Sequence, residues 1–222
     1  MKKIIVSICT LALAAALLGT STYAWFSMNK SVTATGMTVT AQSDSVWLVI
    51  NTGDSFNKAG VATSVASANA EKKLYPVTPV TPFTTANKTT DIETPAKWHY
   101  TYSATNDKSD KDPNATYTVC TDLSNYVATE HFWVGLSDKS GQESASNLKI
   151  GTITLPANTG IKVVVTCGEK VGLATDDVIA DTVTKDGVKV TIHYYIDGAD
   201  ANVFTNNLTA LTGKVTISFN VD

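Results

Sequence analysis

The chain has 222 residues with 17 basic and 20 acidic side chains, a net charge of −3, and no Arg anywhere. Without a basic patch or a guanidinium fork, a general affinity for nucleic acid or for an anionic membrane surface is excluded. A hydrophobic fraction of 43% excludes wholesale disorder, and 34 Thr together with many Val favour extended chain, because both are stiff at χ1 and pack well on a pleated surface.

Residues 1–24 read as a secretory signal peptide. Met1-Lys2-Lys3 is a positive start, Ile4 to Leu18 an apolar run, and Gly19 to Ala24 a stretch of small residues. The expected cut falls between Ala24 and Trp25. A retained membrane anchor is the competing reading, because weakly apolar chain continues to Phe26 and approaches the ~20 residues a span needs. The expected location is therefore secreted, extracellular or at the cell surface, with membrane contact only through an uncleaved signal segment.

Residues 25–36 read as an extended arm. Phe26, Met28, Val32, Ala34 and Gly36 share one parity, broken only by Lys30, and Ser27, Asn29, Ser31, Thr33 and Thr35 form the polar set. After Gly36 the parity switches to Met37, Val39 and Ala41. Strand faces alternate strictly, so the switch requires two strands or a bulge, and Gly36 tolerates such a break.

Residues 37–222 read as a single all-β domain. Expected strands are Met37 to Ala41, Val46 to Ile50, Lys97 to Tyr102, Tyr117 to Cys120, Glu130 to Leu136, Leu148 to Leu155 and Ile161 to Cys167. The clearest are the last two. Val188, Val190, Ile192, Tyr194 and Ile196 alternate with Lys189, Thr191, His193 and Tyr195 between the turn dipeptides Asp186-Gly187 and Asp197-Gly198. Val215, Ile217, Phe219 and Val221 alternate with Lys214, Thr216, Ser218 and Asn220. Val190 and Phe219 should face the core, and Lys189, His193 and Ser218 the outside. Val61 to Lys73 has room for one short helix. Pro76, Pro79, Pro82 and Pro95 make Tyr75 to Ala96 loop or edge chain. Many short strands with long loops predict an antiparallel β-sandwich or barrel.

Cys120 and Cys167 are the cysteines of the mature chain. Export permits a disulfide between them, which would contribute roughly 4 kcal/mol; two separate buried thiols are the alternative. His99, His131 and His193 lie in no ligand or catalytic spacing. Asp110 to Thr121 lacks the Gly and the final Glu of a calcium loop. Trp47, Trp98 and Trp133 sit in strand-like runs that favour core packing over a sugar platform. No catalytic, cofactor or metal site is expected, and the chain does not read as an enzyme.

Gly19-Thr20-Ser21-Thr22-Tyr23-Ala24-Trp25-Phe26-Ser27 followed by Val32 to Val39 resembles the signal junction of the TasA/camelysin-like exported proteins of Gram-positive bacteria. The resemblance covers residues 19 to 41. It implies cleavage by a dedicated signal peptidase, a jelly-roll-like sandwich, and polymerisation into fibres of the biofilm matrix or pilus type. Each subunit would donate its N-terminal strand to the next, so the partner is another copy of the chain. A monomeric surface module binding glycan or a host ligand is the alternative function, and a secreted hydrolase a third.

Overall fold

The computed structural model describes residues 32–35, 37–41, 48–66, 71–101, 118–157, 159–203 and 215–222. Strands dominate, and two five-stranded sheets face each other as a sandwich. In sheet I the order is β13 (Val178–Thr184), β10 (Ser144–Thr154), β15 (Val215–Asn220), β2 (Met37–Ala41), β4 (Ser64–Ala66). In sheet II it is β12 (Lys170–Gly172), β11 (Ile161–Cys167), β14 (Val188–Ile196), β9 (Val127–Leu136), β3 (Leu48–Asn51). Neighbours are antiparallel throughout, except that β2 runs parallel to β15. The chain crosses between the sheets at nearly every connection from β9 to β15, which is the winding of a jelly roll.

The alternation of β14 and β15 sets the core. Val190, Ile192, Ile196, Ile217 and Phe219 are fully buried between the sheets, with Phe132 and Val134 from β9 and Leu148 and Ile150 from β10. Each such side chain contributes roughly 1.5–3 kcal/mol by leaving water. The turn at Asp186-Gly187 delivers the chain into β14, with Gly187 at a φ of 72° that suits glycine.

The outward face of sheet II is not solvent-exposed as its polar alternation predicts. Residues 75–101 and 118–126 fold over it as a third layer. That layer holds β6 (Val77–Pro79), β7 (Trp98–Tyr100) and β8 (Thr118–Val119), paired in that order, and one short helix, α1 (Thr89–Glu93). Trp98 is its anchor. Its ring is fully buried, stands edge-on to Phe83 at 4.9 Å and to Tyr195 of β14 at 4.7 Å, and its indole N–H donates to the Ile92 carbonyl. Val77, Ile92, Val127, Val164 and Val171 complete this second core.

Three expectations are corrected here. The helix expected within Val61 to Lys73 is absent from the described part of that span. Ala62 instead bridges to Ile50, and β4 and β5 (Glu71–Leu74) are strands, as the β-branched Val61, Thr63 and Val65 favour. The Pro-rich stretch does supply an edge strand, β6, which Pro79 ends, but it also carries α1, which lies between Pro82 and Pro95 and so contains no proline; Pro95 opens the 3₁₀ turn that follows, where no N–H is needed. His193 and Ser218 are buried, not outward-exposed, at 1% and 8% exposure. The third layer and neighbouring strands cover the first; the Ser218 hydroxyl bonds that of Thr152 at 2.8 Å.

Candidate functional site

The third layer does not close flush on the sandwich. A cleft of about 620 Å³ remains between them at the end of sheet II where β11 starts and β14 ends. Thr78, Pro79, Pro82 and Phe83 form one wall, and Ile153, Leu155, Val163 and Tyr195 the other. Leu173, Ala174 and Thr175 edge it after β12. The prolines keep that first wall rigid without presenting N–H groups.

The charged groups at the cleft already have partners. Lys162 pairs with Asp200 at 2.9 Å. The Asn202 backbone N–H, and after it Lys162, hold the Asp200 carboxyl below the usual carboxylate range. The Asp197 carboxylate accepts from the Ala199 N–H at 3.0 Å. Burial, reinforced by Asp197, pushes the Tyr195 hydroxyl far above its ordinary pKa. The lining thus offers apolar surface and satisfied charges, a binding chemistry and not a proton-transfer chemistry.

A polar strip crosses sheet II beside the third layer. His193 Nδ1 lies 3.3 Å from the Thr129 hydroxyl and its Nε2 3.4 Å from that of Thr166. His131 Nδ1 lies 3.0 Å from the Thr191 hydroxyl. Burial, and then the neighbouring His131, lower His193 to about 4. Burial and Lys189 lower His131 as well. These contacts are to neutral hydroxyls, which neither orient nor activate a base as a carboxylate would. Among the described residues no three His, Cys, Asp or Glu side chains gather as a metal site.

Of the two readings of the cysteines, the structure has the separate thiols: Cys120 and Cys167 are both free. Cys120 belongs to the core beneath the third layer, whereas Cys167 packs on the core between the sheets. Sheet II stands between the two cores, and a bridge cannot pass through it. Burial raises the thiols to about 12 and about 11 respectively.

The candidate arm is described in part. Val32 and Ala34 lie in β1 (Val32–Thr35), which pairs with β5 of the same chain, Val32 opposite Leu74 and Ala34 opposite Lys72. β1 and β5 form a two-stranded ribbon separate from both sandwich sheets. β2 begins one residue after Gly36 and belongs to sheet I, so the parity switch does mark two strands. Ala24, Trp25, Phe26, Met28 and Gly36 lie outside the described residues, as do Trp47 and Asp110 to Ala115. Trp98 is core; Trp133 is half-buried, its indole N–H donating to the Gly53 carbonyl at 3.1 Å.

Sequence reasoning missed Glu130 and the whole cleft. Glu130 sits at an inward position of β9 between Ala128 and Phe132, and its Oε1 is buried without a hydrogen-bond partner. Its place in an otherwise apolar parity was the available signal. The cleft had none, because its walls come from five separated stretches of chain.

The fold is that of an all-β sandwich protein. No family model, no curated protein and no solved structure matches the chain. Among the described residues no helix is long and apolar enough to cross a membrane.

Proposed function

We propose that the chain is a secreted structural subunit that polymerises head-to-tail into extracellular fibres by donating its N-terminal strand, as the TasA/camelysin-like resemblance implies. The observation that carries this reading is the placement of β1. It hangs outside both sandwich sheets, one residue from β2, and its one strand partner among the described residues is β5. Moving β1 from its own β5 to that of a neighbour re-forms the same backbone hydrogen bonds between two chains. Such an exchange costs little enthalpy, and because it is heterologous it need not close, which generates a filament. A monomeric binding module is the second reading, and the 620 Å³ cleft is what favours it.

Thr33 and Lys73 face each other across the ribbon and supply the test. A Thr33→Cys/Lys73→Cys variant, built on Cys120→Ala/Cys167→Ala, is oxidised either before or after assembly. Oxidation of the monomer should lock the arm at home and stop fibre growth until a reductant is added. Oxidation after assembly should instead give a covalent ladder of subunits. Fibres growing at the unlocked rate from fully locked monomer would refute arm exchange.

A further inference from the structure

The cleft beside the third layer has apolar walls and two polar groups that await a partner. Tyr195 lines it and is only 6% exposed, yet among the described residues its hydroxyl makes no hydrogen bond. The ring is held edge-on against Trp98, which fixes the hydroxyl at the wall. A phenol so buried is ordinarily hydrogen-bonded, and the cleft is the open side from which a partner reaches it. Asp197, two residues further on, also lines the cleft. The Ala199 N–H fixes its Oδ1 and leaves Oδ2 free for a guest. Among the described residues no cation pairs with Asp197, and Lys162, the one basic side chain on the lining, is taken by Asp200. One negative charge therefore stays uncompensated at the mouth. Burial, and then the Asp197 carboxylate, raise the Tyr195 hydroxyl, so the two groups feel each other and the phenol keeps its proton.

We propose that the cleft binds a small aromatic amine, with its ring against Pro79, Pro82 and Phe83, a polar ring atom at the Tyr195 hydroxyl, and its ammonium on Asp197. The inference deepens the binding-module reading and rests on it; arm exchange is neither required nor opposed. The walls select the body. Pro79, Pro82, Phe83, Leu155 and Leu173 are half-buried or exposed, and such faces take a flat ring without asking for hydrogen bonds. A glycan or an extended peptide would leave many of its own polar groups unpaired against them. The mouth selects the charge. An anion would meet Asp197 with Lys162 already engaged, whereas an ammonium gains a charge-assisted hydrogen bond. The cleft, at about 620 Å³, has the size of a small-molecule site.

Three indoles that differ only at the end of the side chain test this on the full chain by titration calorimetry: tryptamine, a cation; indole-3-propionate, an anion; and 3-ethylindole, neutral. Tryptamine should bind at least about tenfold more tightly than indole-3-propionate. Asp197→Asn keeps an acceptor for the Ala199 N–H and should bring tryptamine down to the affinity of 3-ethylindole. Asp54→Asn removes the same charge from an exposed loop outside the cleft and should change nothing. Tyr195→Phe keeps the ring packed on Trp98 and should weaken all three indoles by about two- to tenfold, with the melting temperature unmoved. Three indoles bound alike, whatever stands at position 197, would overturn the amine class and leave the binding-module reading standing. No binding of any of them, or binding untouched by both Asp197→Asn and Tyr195→Phe, would overturn the site and that reading together.

Discussion

At the scale of single residues, His193 links the fold to pH. Its folded pKa of about 4 lies below the ordinary 6.5, so the unfolded chain binds the extra proton. Stability contributed by the neutral ring is complete above pH 6.5 and is lost as pH falls from 6.5 towards 4, by roughly 3 kcal/mol in all. His193→Gln should flatten the melting temperature across that window. An unchanged slope would mean that another group governs it. Asp91, Asp200 and Asp222 are held below their ordinary 3.8, and their loss of stabilisation begins only below that pH, so the two effects separate. The thiols give a second prediction. With Cys120 and Cys167 free on opposite faces of sheet II, reductant should leave the melting temperature and the gel mobility unchanged. A mass deficit from lost thiol hydrogens in the secreted protein would contradict this. Gly160 gives a third. It holds a φ of 64°, and a Cβ there would overlap the Val203 side chain. Gly160→Ala should destabilise by at least about 1–3 kcal/mol, read from the denaturant midpoint.

At the scale of elements, the alternation of β14 and β15 predicts opposite outcomes for neighbouring positions. Val190→Asp and Phe219→Asp place a carboxylate in the dry space between the sheets and should prevent folding, while Lys189→Asp on the exposed edge of the strip should be tolerated. Thermal melts distinguish the sets. Ser218→Asp, harmless if Ser218 faced the outside, should instead destabilise. Its hydroxyl is buried against Thr152, and Gly151 lies so close that an added Cβ would come within 2.7 Å of it. These two strands were legible because their inward residues never break period. β13 was not: between the inward Ile179 and Val183 it passes the exposed Asp181 and Thr182 without a clean alternation. The division between β1 and β2 was legible as a parity switch, yet nothing in residues 32 to 35 names β5 as the partner of β1, because β5 reads as the charged run Glu71-Lys72-Lys73.

At the scale of the whole molecule, the third layer governs how much of sheet II is dry. Trp98→Ala removes its anchor and should cost about 3–5 kcal/mol, with Tyr195 and Phe83 becoming accessible. A loss confined to the third layer should appear as a first transition before sandwich unfolding; a single unshifted transition would show that the layer adds nothing. Export belongs to this scale too. N-terminal sequencing of secreted protein should begin at Trp25, and material beginning at Met1 or well beyond Ser27 would remove the basis for a free arm.

The sequence by itself determined the all-β class, the inward faces of the two terminal strands, and the division between β1 and β2. Each of these is local: a period of two, a turn dipeptide or a parity switch is written in adjacent positions. Only the tertiary structure decided that the Pro-rich chain covers sheet II, that His193 is dry, that the two thiols lie apart, and that a cleft opens beside Tyr195. Those are relations between stretches of chain tens of residues apart. They depend on which surfaces remain apolar after the sandwich has closed, and no local period encodes them.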